Sequence, residues 1–241
     1  VLFTYRKRLV LKAIAAGMSL PEEPVDRVFE LTHLKQLVRL LDINCVLDVG
    51  ANRGQFASEL RGIGFKGLIV SFEPLRREFS QLQQAFSGDP RWRGFRLALG
   101  AKSGPAKINV VPHLTVMSSL LETAGKKRDV EVEEIELKRL DEIFDTALRD
   151  VTSPRVLLKM DTQGYDLNVF AGAQGCIDRI LGLQSELSVV PLYREMPHYL
   201  EALGTYERAG FQLVNLSVVS RIPDGGLQEL NCLMKRGNGQ R

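Results

Sequence analysis

Two apolar residues, an acid and two glycines spaced four apart constrain this chain most: Val46-Leu47-Asp48-Val49-Gly50-Ala51-Asn52-Arg53-Gly54. The pattern D-x-G-x-x-x-G reads as a buried parallel strand, a tight glycine turn and the start of a helix. A glycine turn exposes bare backbone, because no Cβ stands in the way of an approaching group. A helix start adds unpaired N–H groups. An acid at the end of the strand accepts hydrogen bonds.

A second run continues the unit. Leu68-Ile69-Val70-Ser71-Phe72 is apolar and β-rich and ends at Glu73-Pro74, with Glu73 lying 25 residues after Asp48. One helix and one strand fill that distance in a right-handed βαβ unit. A carboxylate at the tip of the second strand suits the two hydroxyls of a ribose, so a nucleoside ligand is expected with Glu73 as its holder. A dinucleotide site wants G-x-G-x-x-G, and here Asn52 replaces the middle glycine. Asp48 before the turn would repel a pyrophosphate but suits the amino and sulfonium groups of S-adenosylmethionine. The methyl donor is therefore favoured over NAD, with NAD the alternative. The expected donor contacts are Asp48, Gly50, Asn52, Gly54, Glu73 and Asp161.

The rest of the chain extends the alternation of helix and strand. Residues 1–44 read as an N-terminal helical segment, broken at Pro21-Glu22-Glu23-Pro24, and residues 45–236 as one domain. Strands are expected at 45–49, 68–72, Phe95–Leu99, Ala106–Val111, Val130–Leu137, Val156–Met160, near Leu181–Glu186, and at Phe211–Leu216 and Leu227–Met234. Helices are expected at Leu75–Phe86, Leu140–Leu148, Leu167–Ile177 and Tyr199–Ala209. This order implies an α/β, Rossmann-like, mostly parallel sheet, with one antiparallel strand from the C-terminal hairpin and additional N-terminal helices.

The polar stretch Pro112–Arg128 reads as a mobile connection and the best lid candidate. Its Lys126-Lys127-Arg128 run is expected to be a solvated loop rather than a grip on an anion.

Composition excludes several classes. A net charge of +3 and a charged fraction of 25% argue for no nucleic-acid partner. Cys45, Cys176 and Cys232 are far apart and form no C-x-x-C pair, which fits a reducing compartment and a cytoplasmic location. No run approaches a membrane span. The basic segment from Arg6 is expected to pack as an amphipathic helix on the domain, on a second copy in a homodimer, or on a membrane surface, with packing preferred.

The chain resembles the FkbM family of S-adenosylmethionine-dependent methyltransferases over roughly residues 40–235. The resemblance rests on the Val46–Gly54 run, Phe72-Glu73-Pro74, Ala98-Leu99-Gly100, Ser118-Ser119, Leu140-Asp141-Glu142, Lys159-Met160-Asp161-Thr162-Gln163-Gly164-Tyr165-Asp166 and Gln184-Ser185-Glu186-Leu187. The K-x-D-x-x-G-x-[DE] run makes it specific to that family; the first motif marks only the broader superfamily. Where the family usually has Glu before the glycine, this chain has Gln163. The resemblance implies a class I methyltransferase fold and O-methylation of a hydroxyl on a sugar, glycolipid or secondary metabolite. The rival readings are a donor-binding module without turnover and a nucleic-acid methyltransferase; the chain lacks an N-P-P-Y run and a basic face.

An aliphatic hydroxyl needs a base or a metal ion to lose its proton. Asp161 and Glu186 end neighbouring expected strands and are the first candidates, either as base or as oxygen ligands of a divalent cation such as magnesium. His198 is the next candidate for the base, followed by His113, while His33 reads as structural.

Overall fold

The computed structural model describes residues 12, 15–17, 22–124 and 129–237. Most of the expected basic N-terminal helix, and the Lys126-Lys127-Arg128 run, lie outside the described residues.

A seven-stranded sheet organises the chain in the order β3-β2-β1-β7-β8-β10-β9. Its strands are β1 (Cys45–Val49), β2 (Leu68–Phe72), β3 (Trp92–Phe95), β7 (Val156–Met160), β8 (Ile180–Ser188), β9 (Phe211–Arg221) and β10 (Leu227–Arg236). All neighbours pair in parallel except β10, which is antiparallel to both β8 and β9. The expected single antiparallel strand of the closing hairpin is thus borne out.

Both faces of the sheet are covered. Leu47, Val49, Leu158 and Met160 point to one face, packed with Phe144, Phe170 and Tyr206. Those three residues come from α4 (Leu140–Ala147), α5 (Asp166–Ala171) and α6 (Tyr199–Arg208). Val46, Ile69 and Leu157 point to the other, against Leu34, Leu37, Phe56, Leu60 and Leu82. These come from α1 (Glu22–Leu40), α2 (Gln55–Gly62) and α3 (Arg76–Ala85). Strand alternation produces this division, and burial on both faces is why β1 and β7 read as continuous apolar runs. Asp48 and Lys159 interrupt those runs on the α1–α2 face.

Four expectations are corrected. Helix α1 starts at Glu22 and runs through Pro24 rather than after it; proline is tolerated in a first turn, where the missing N–H would be unpaired anyway. The third strand is Trp92–Phe95, and Ala98–Leu99 is a separate β4 that crosses to another sheet. Trp92 Nε1 donates to Ser71 Oγ (3.0 Å), which ties β3 to β2 before that crossing. The helix expected to reach Ile177 stops at Ala171, because the Gly172 carbonyl turns aside to accept the Asp141 N–H (3.0 Å). Finally, β5 (Gly104–Val110) and β6 (Glu131–Lys138) leave the main sheet. They form with β4 a three-stranded sheet, β4-β6-β5, with its own small core of Leu75, Ala98, Ile108, Ile135 and Leu137.

The strand order reverses direction at β1, with β2 on one side and β7 on the other. Ligands of open α/β sheets enter the crevice beyond the carboxyl ends of the strands at such a point.

Candidate active site

The turn after β1 is built by backbone geometry. The N–H groups of Gly50 and Ala51 both donate to the Phe72 carbonyl (3.1 Å each). Gly50 has φ +76°, and a Cβ on it would meet the Asp161 carbonyl oxygen at 1.9 Å. Glycine is therefore demanded by the neighbouring strand end as well as by the left-handed turn. Gly54, at φ +90°, serves packing instead, since a Cβ there would meet the Phe86 ring at 2.5 Å and Leu82 at 2.8 Å. It seats α2 on α3 and does not line the cavity described below, so its expected donor contact has no geometric support.

Glu73 sits where the sequence placed it, beyond β2. It is 4% exposed. Asn52 N–H donates to Oε2 (2.8 Å) and Leu75 N–H to Oε1 (2.9 Å). Each oxygen takes one protein donor and keeps a free lone pair. Burial raises its pKa to about 7, only partly offset by the Leu75 and Asn52 N–H groups.

Asp48 is corrected. It is fully buried and lies outside the cavity wall. Its Oδ1 is 3.0 Å from Lys159 Nζ, in an ion pair rather than a directed hydrogen bond. Lys159 also lies 3.6 Å from Asp161 Oδ2 and 5.2 Å from the centre of the Phe56 ring. Asp48 thus anchors a lysine from behind the cavity wall. Burial raises the Asp48 pKa, with Lys159 opposing. Lys159 is a buried cation on the cavity wall to which the sequence pattern assigns no role. The signal that could have found it is a lysine in mid-run of an otherwise apolar strand.

Asp161 and Glu186 are brought together, as expected from adjacent strands, but through an intermediary. Gln163 Nε2 donates to Glu186 Oε2 (3.0 Å) and reaches Asp161 Oδ1 (3.4 Å). Its Oε1 accepts from the Tyr193 hydroxyl (2.9 Å), and its backbone carbonyl from Ser119 Oγ (2.7 Å). Asp161 and Gln163 line the cavity; Glu186 does not. Glu186 also lies inside β8 rather than at its end. Burial, with Asp161 and Glu229 nearby, holds the Glu186 carboxyl well above the usual range. Asp166, the last acid of the motif, is structural. It accepts from the Thr162 N–H (2.8 Å), the Ser185 hydroxyl (2.8 Å) and the Glu186 N–H (3.1 Å), which pins the loop after β7 onto β8.

His198 is corrected too. It is exposed, precedes α6 and lies against the Tyr199 ring at a tilt (ring centroids 4.5 Å apart, planes at 52°). It lies outside the cavity wall. His113 is exposed as well.

The cavity beyond β1, β2 and β7 has a volume of about 290 Å³. One side holds Gly50, Asn52 and Glu73, another Lys159, Asp161 and Gln163, and a third Arg27, Gln184 and Asn231. Thr115, Val116, Ser118, Ser119 and Leu120 cover it. That cover belongs to the expected lid, but its described part is tied down. The Asn109 and Ser119 backbones bond to each other (2.9 and 3.1 Å), and the Tyr193 hydroxyl shares its single proton between Gln163 Oε1 and the Met117 carbonyl (2.8 Å).

The Methyltransferase FkbM domain matches residues 48–213. The chain belongs to the FkbM methyltransferase family. It is an S-adenosylmethionine-dependent methyltransferase. A putative methyltransferase from Thermobifida fusca YX has a similar fold (TM-score 0.51, 10% identity, covering 88% of this chain and 80% of that one). Magnesium protoporphyrin IX methyltransferase from Synechocystis PCC 6803 is another solved structure of the same general shape (TM-score 0.47, 9% identity, covering 90% and 82%). No curated protein is detectably similar in sequence. The methyltransferase's residues fit its donor: Glu73 offers two free carboxylate lone pairs to a pair of hydroxyls inside a cavity open to the Gly50 turn. Among the described residues no helix is long and apolar enough to cross a membrane.

Proposed function

We propose that this methyltransferase methylates a hydroxyl oxygen of a small-molecule or glycan-type acceptor: a sugar, a glycolipid or a secondary metabolite. The observation that carries the reading is Asp161, a carboxylate 42% exposed on the cavity wall, held 3.6 Å from the buried Lys159 ammonium. The bound donor supplies an electrophilic methyl group on a sulfonium. Glu73 and Asn52 hold its nucleoside end. Asp161 accepts the acceptor's proton on Oδ as the oxygen becomes nucleophilic. Lys159 pairs with Asp161, and Asp48 keeps Lys159 in place. Glu186 acts only through Gln163, as a positioning residue. The 115–120 cover excludes water and fixes the line of approach, from which much of the rate follows.

A divalent cation does not fit the residues between Asp161 and Glu186. The amide NH2 of Gln163 stands there, a donor where a cation needs oxygen ligands. Among the described residues no three His, Cys, Asp or Glu side chains are grouped to hold a metal. No step is routed through one.

The test is Asp161→Asn. Turnover should fall by about 10²–10⁴-fold with donor affinity little changed, since the lost interaction belongs to the transition state. Wild-type turnover in the mutant would remove Asp161 as the base. Donor binding by the wild type without methyl transfer to any component of a cell extract would favour the binding-module reading.

A further inference from the structure

Between α1 and the strands β8 and β10, the cavity has a wall that no step above uses. We propose that this wall, made by Arg27, Glu59, Gln184 and Asn231, is the acceptor-recognition subsite. It selects an uncharged ligand rich in hydrogen-bond donors and rejects anionic ones. The proposal rests on the hydroxyl-methylation reading above. Arg27 and Asn231 lie outside the matched residues 48–213, so this selectivity would belong to the chain's own flanks.

Buried Glu30 sets the chemistry of the wall. Its Oε1 accepts from Gln184 Nε2 (2.8 Å) and from Asn231 Nδ2 (2.9 Å). Both amides thus commit an N–H group to one carboxylate oxygen, which fixes their orientation. Each amide keeps its carbonyl oxygen and one further N–H. Gln184 is 4% exposed, and its Oε1 has no hydrogen-bond partner. A buried polar atom left unpaired in a cavity wall calls for a donor from outside the protein.

The charges point the same way. Arg27 donates through Nε to Glu59 Oε1 (2.9 Å), through Nη2 to Glu59 Oε2, and through Nη1 to Glu30 Oε2 (2.6 Å). One guanidinium therefore faces two carboxylates. Next to it, the Lys159 ammonium faces Asp48 at 3.0 Å and Asp161 at 3.6 Å. Arg27 and Lys159 are the cations of the described cavity wall. Each is already outnumbered by its acids. A phosphate or carboxylate entering here meets excess negative charge, and so loses its hydration without gaining a counter-ion. A hydroxyl-bearing ligand meets acceptors that it can satisfy.

The wall is also separated from the donor-holding side. Glu73 follows β2, whereas Gln184 lies on β8, three strands away across β1 and β7. At the usual ~4.8 Å between strands this is roughly 14 Å.

The experiment supplies the protein with methyl-tritiated S-adenosylmethionine and a small-molecule extract of the source cells. Unreacted donor is first removed on a cation exchanger at acid pH, labelled products are then separated on an anion exchanger at pH 8, and S-adenosylhomocysteine affinity is measured in parallel by calorimetry. The label should run in the unretained, uncharged fraction. Gln184→Leu should cut incorporation at least about tenfold, while S-adenosylhomocysteine affinity stays within about twofold. Asn231→Leu, which leaves the Gln184–Glu30 bond in place, should act in the same direction and guards against misfolding of the first variant. Label in the retained, anionic fraction overturns the proposal. So does a loss of S-adenosylhomocysteine affinity in proportion to the loss of label, because the wall then belongs to the donor. S-adenosylhomocysteine bound by the wild type but no label transferred would overturn the turnover reading, and this inference with it.

Discussion

Glu73 offers the sharpest test of the donor site, because its surroundings fix what each perturbation does. Both of its oxygens accept a backbone N–H, from Asn52 and Leu75, and the remaining lone pairs face a cavity. In Glu73→Gln one oxygen becomes an NH2 group. The charge that would bind the ribose hydroxyls is lost, and one of the two backbone N–H groups then confronts another donor. Hydrogen bonds to a charged group contribute about 1.5–3 kcal/mol each, partly offset by the desolvation cost that the neutral side chain avoids. A net loss of about 1–3 kcal/mol in donor binding follows, or about 5- to 150-fold in Kd. The pH arm is independent of the mutation. Burial raises Glu73 from 4.5 to about 7 in the free protein, and the donor binds the carboxylate form. Wild-type Kd for S-adenosylhomocysteine should therefore rise as pH falls below 7, by up to about tenfold per unit. The Glu73→Gln protein should be flat between pH 7 and 5.5. The same shift makes the ligand-free chain less stable as pH rises from 4.5 through 7, since the native state holds the proton more tightly than the unfolded chain. Bound ligand should oppose that trend. Calorimetry across this range decides the matter. A wild-type Kd independent of pH, or an unchanged Kd in Glu73→Gln, refutes the assignment.

Three further outcomes follow from the same contacts. Lys159→Met strands buried Asp48 without its counter-ion and should cost about 3–5 kcal/mol in chemical denaturation; the double variant Asp48→Asn with Lys159→Met should recover much of it, and a double variant as unstable as the single would count against the ion pair. Gly50→Ala places a Cβ 1.9 Å from the Asp161 carbonyl in a left-handed turn, so the protein should melt well below wild type and lose donor affinity, whereas a normal melting curve would contradict the packing. His198→Ala should leave turnover and donor affinity within about twofold of wild type, since surface substitutions away from packed features change little; a large loss of turnover would return His198 to the site.

What sequence could show was local. The β1 turn, the β2 tip and the run after β7 each carry their signal within ten residues, and each lies where it was expected. The misplaced features depend on partners far apart in the chain. Asp48 looks like a ligand contact until Lys159 is beside it, and nothing in either run announces the pairing. Gly54 looks like a ligand glycine until Phe86 and Leu82 from the next helix are packed on it. The covering sheet failed for another reason. Phe95–Leu99 has the composition of one strand, but the chain changes sheets after Phe95, and strand propensity does not encode which sheet a residue joins. Helix α1 read only as part of an N-terminal helical segment; its Arg27 and Glu30 acquire meaning only against Glu59, Gln184 and Asn231.

The two acids at the end of β7 and on β8 show how far residue type falls short of role. Both are carboxylates near the same loop, and sequence alone made them equivalent. Asp161 is 42% exposed on the cavity wall and faces Lys159 at 3.6 Å. Glu186 is set back from the cavity beside Asp161 and Glu229, conditions that favour its neutral form. Of the two, Asp161 alone reaches the cavity that a ligand can enter. Gln163 separates them, and through Tyr193 and Ser119 it also carries the segment that covers the cavity. The amide at this position donates toward both carboxyls, which an ionised acid in its place could not do. Asp161 is thereby left at the cavity wall, while Glu186, through Gln163, holds the loop that presents it.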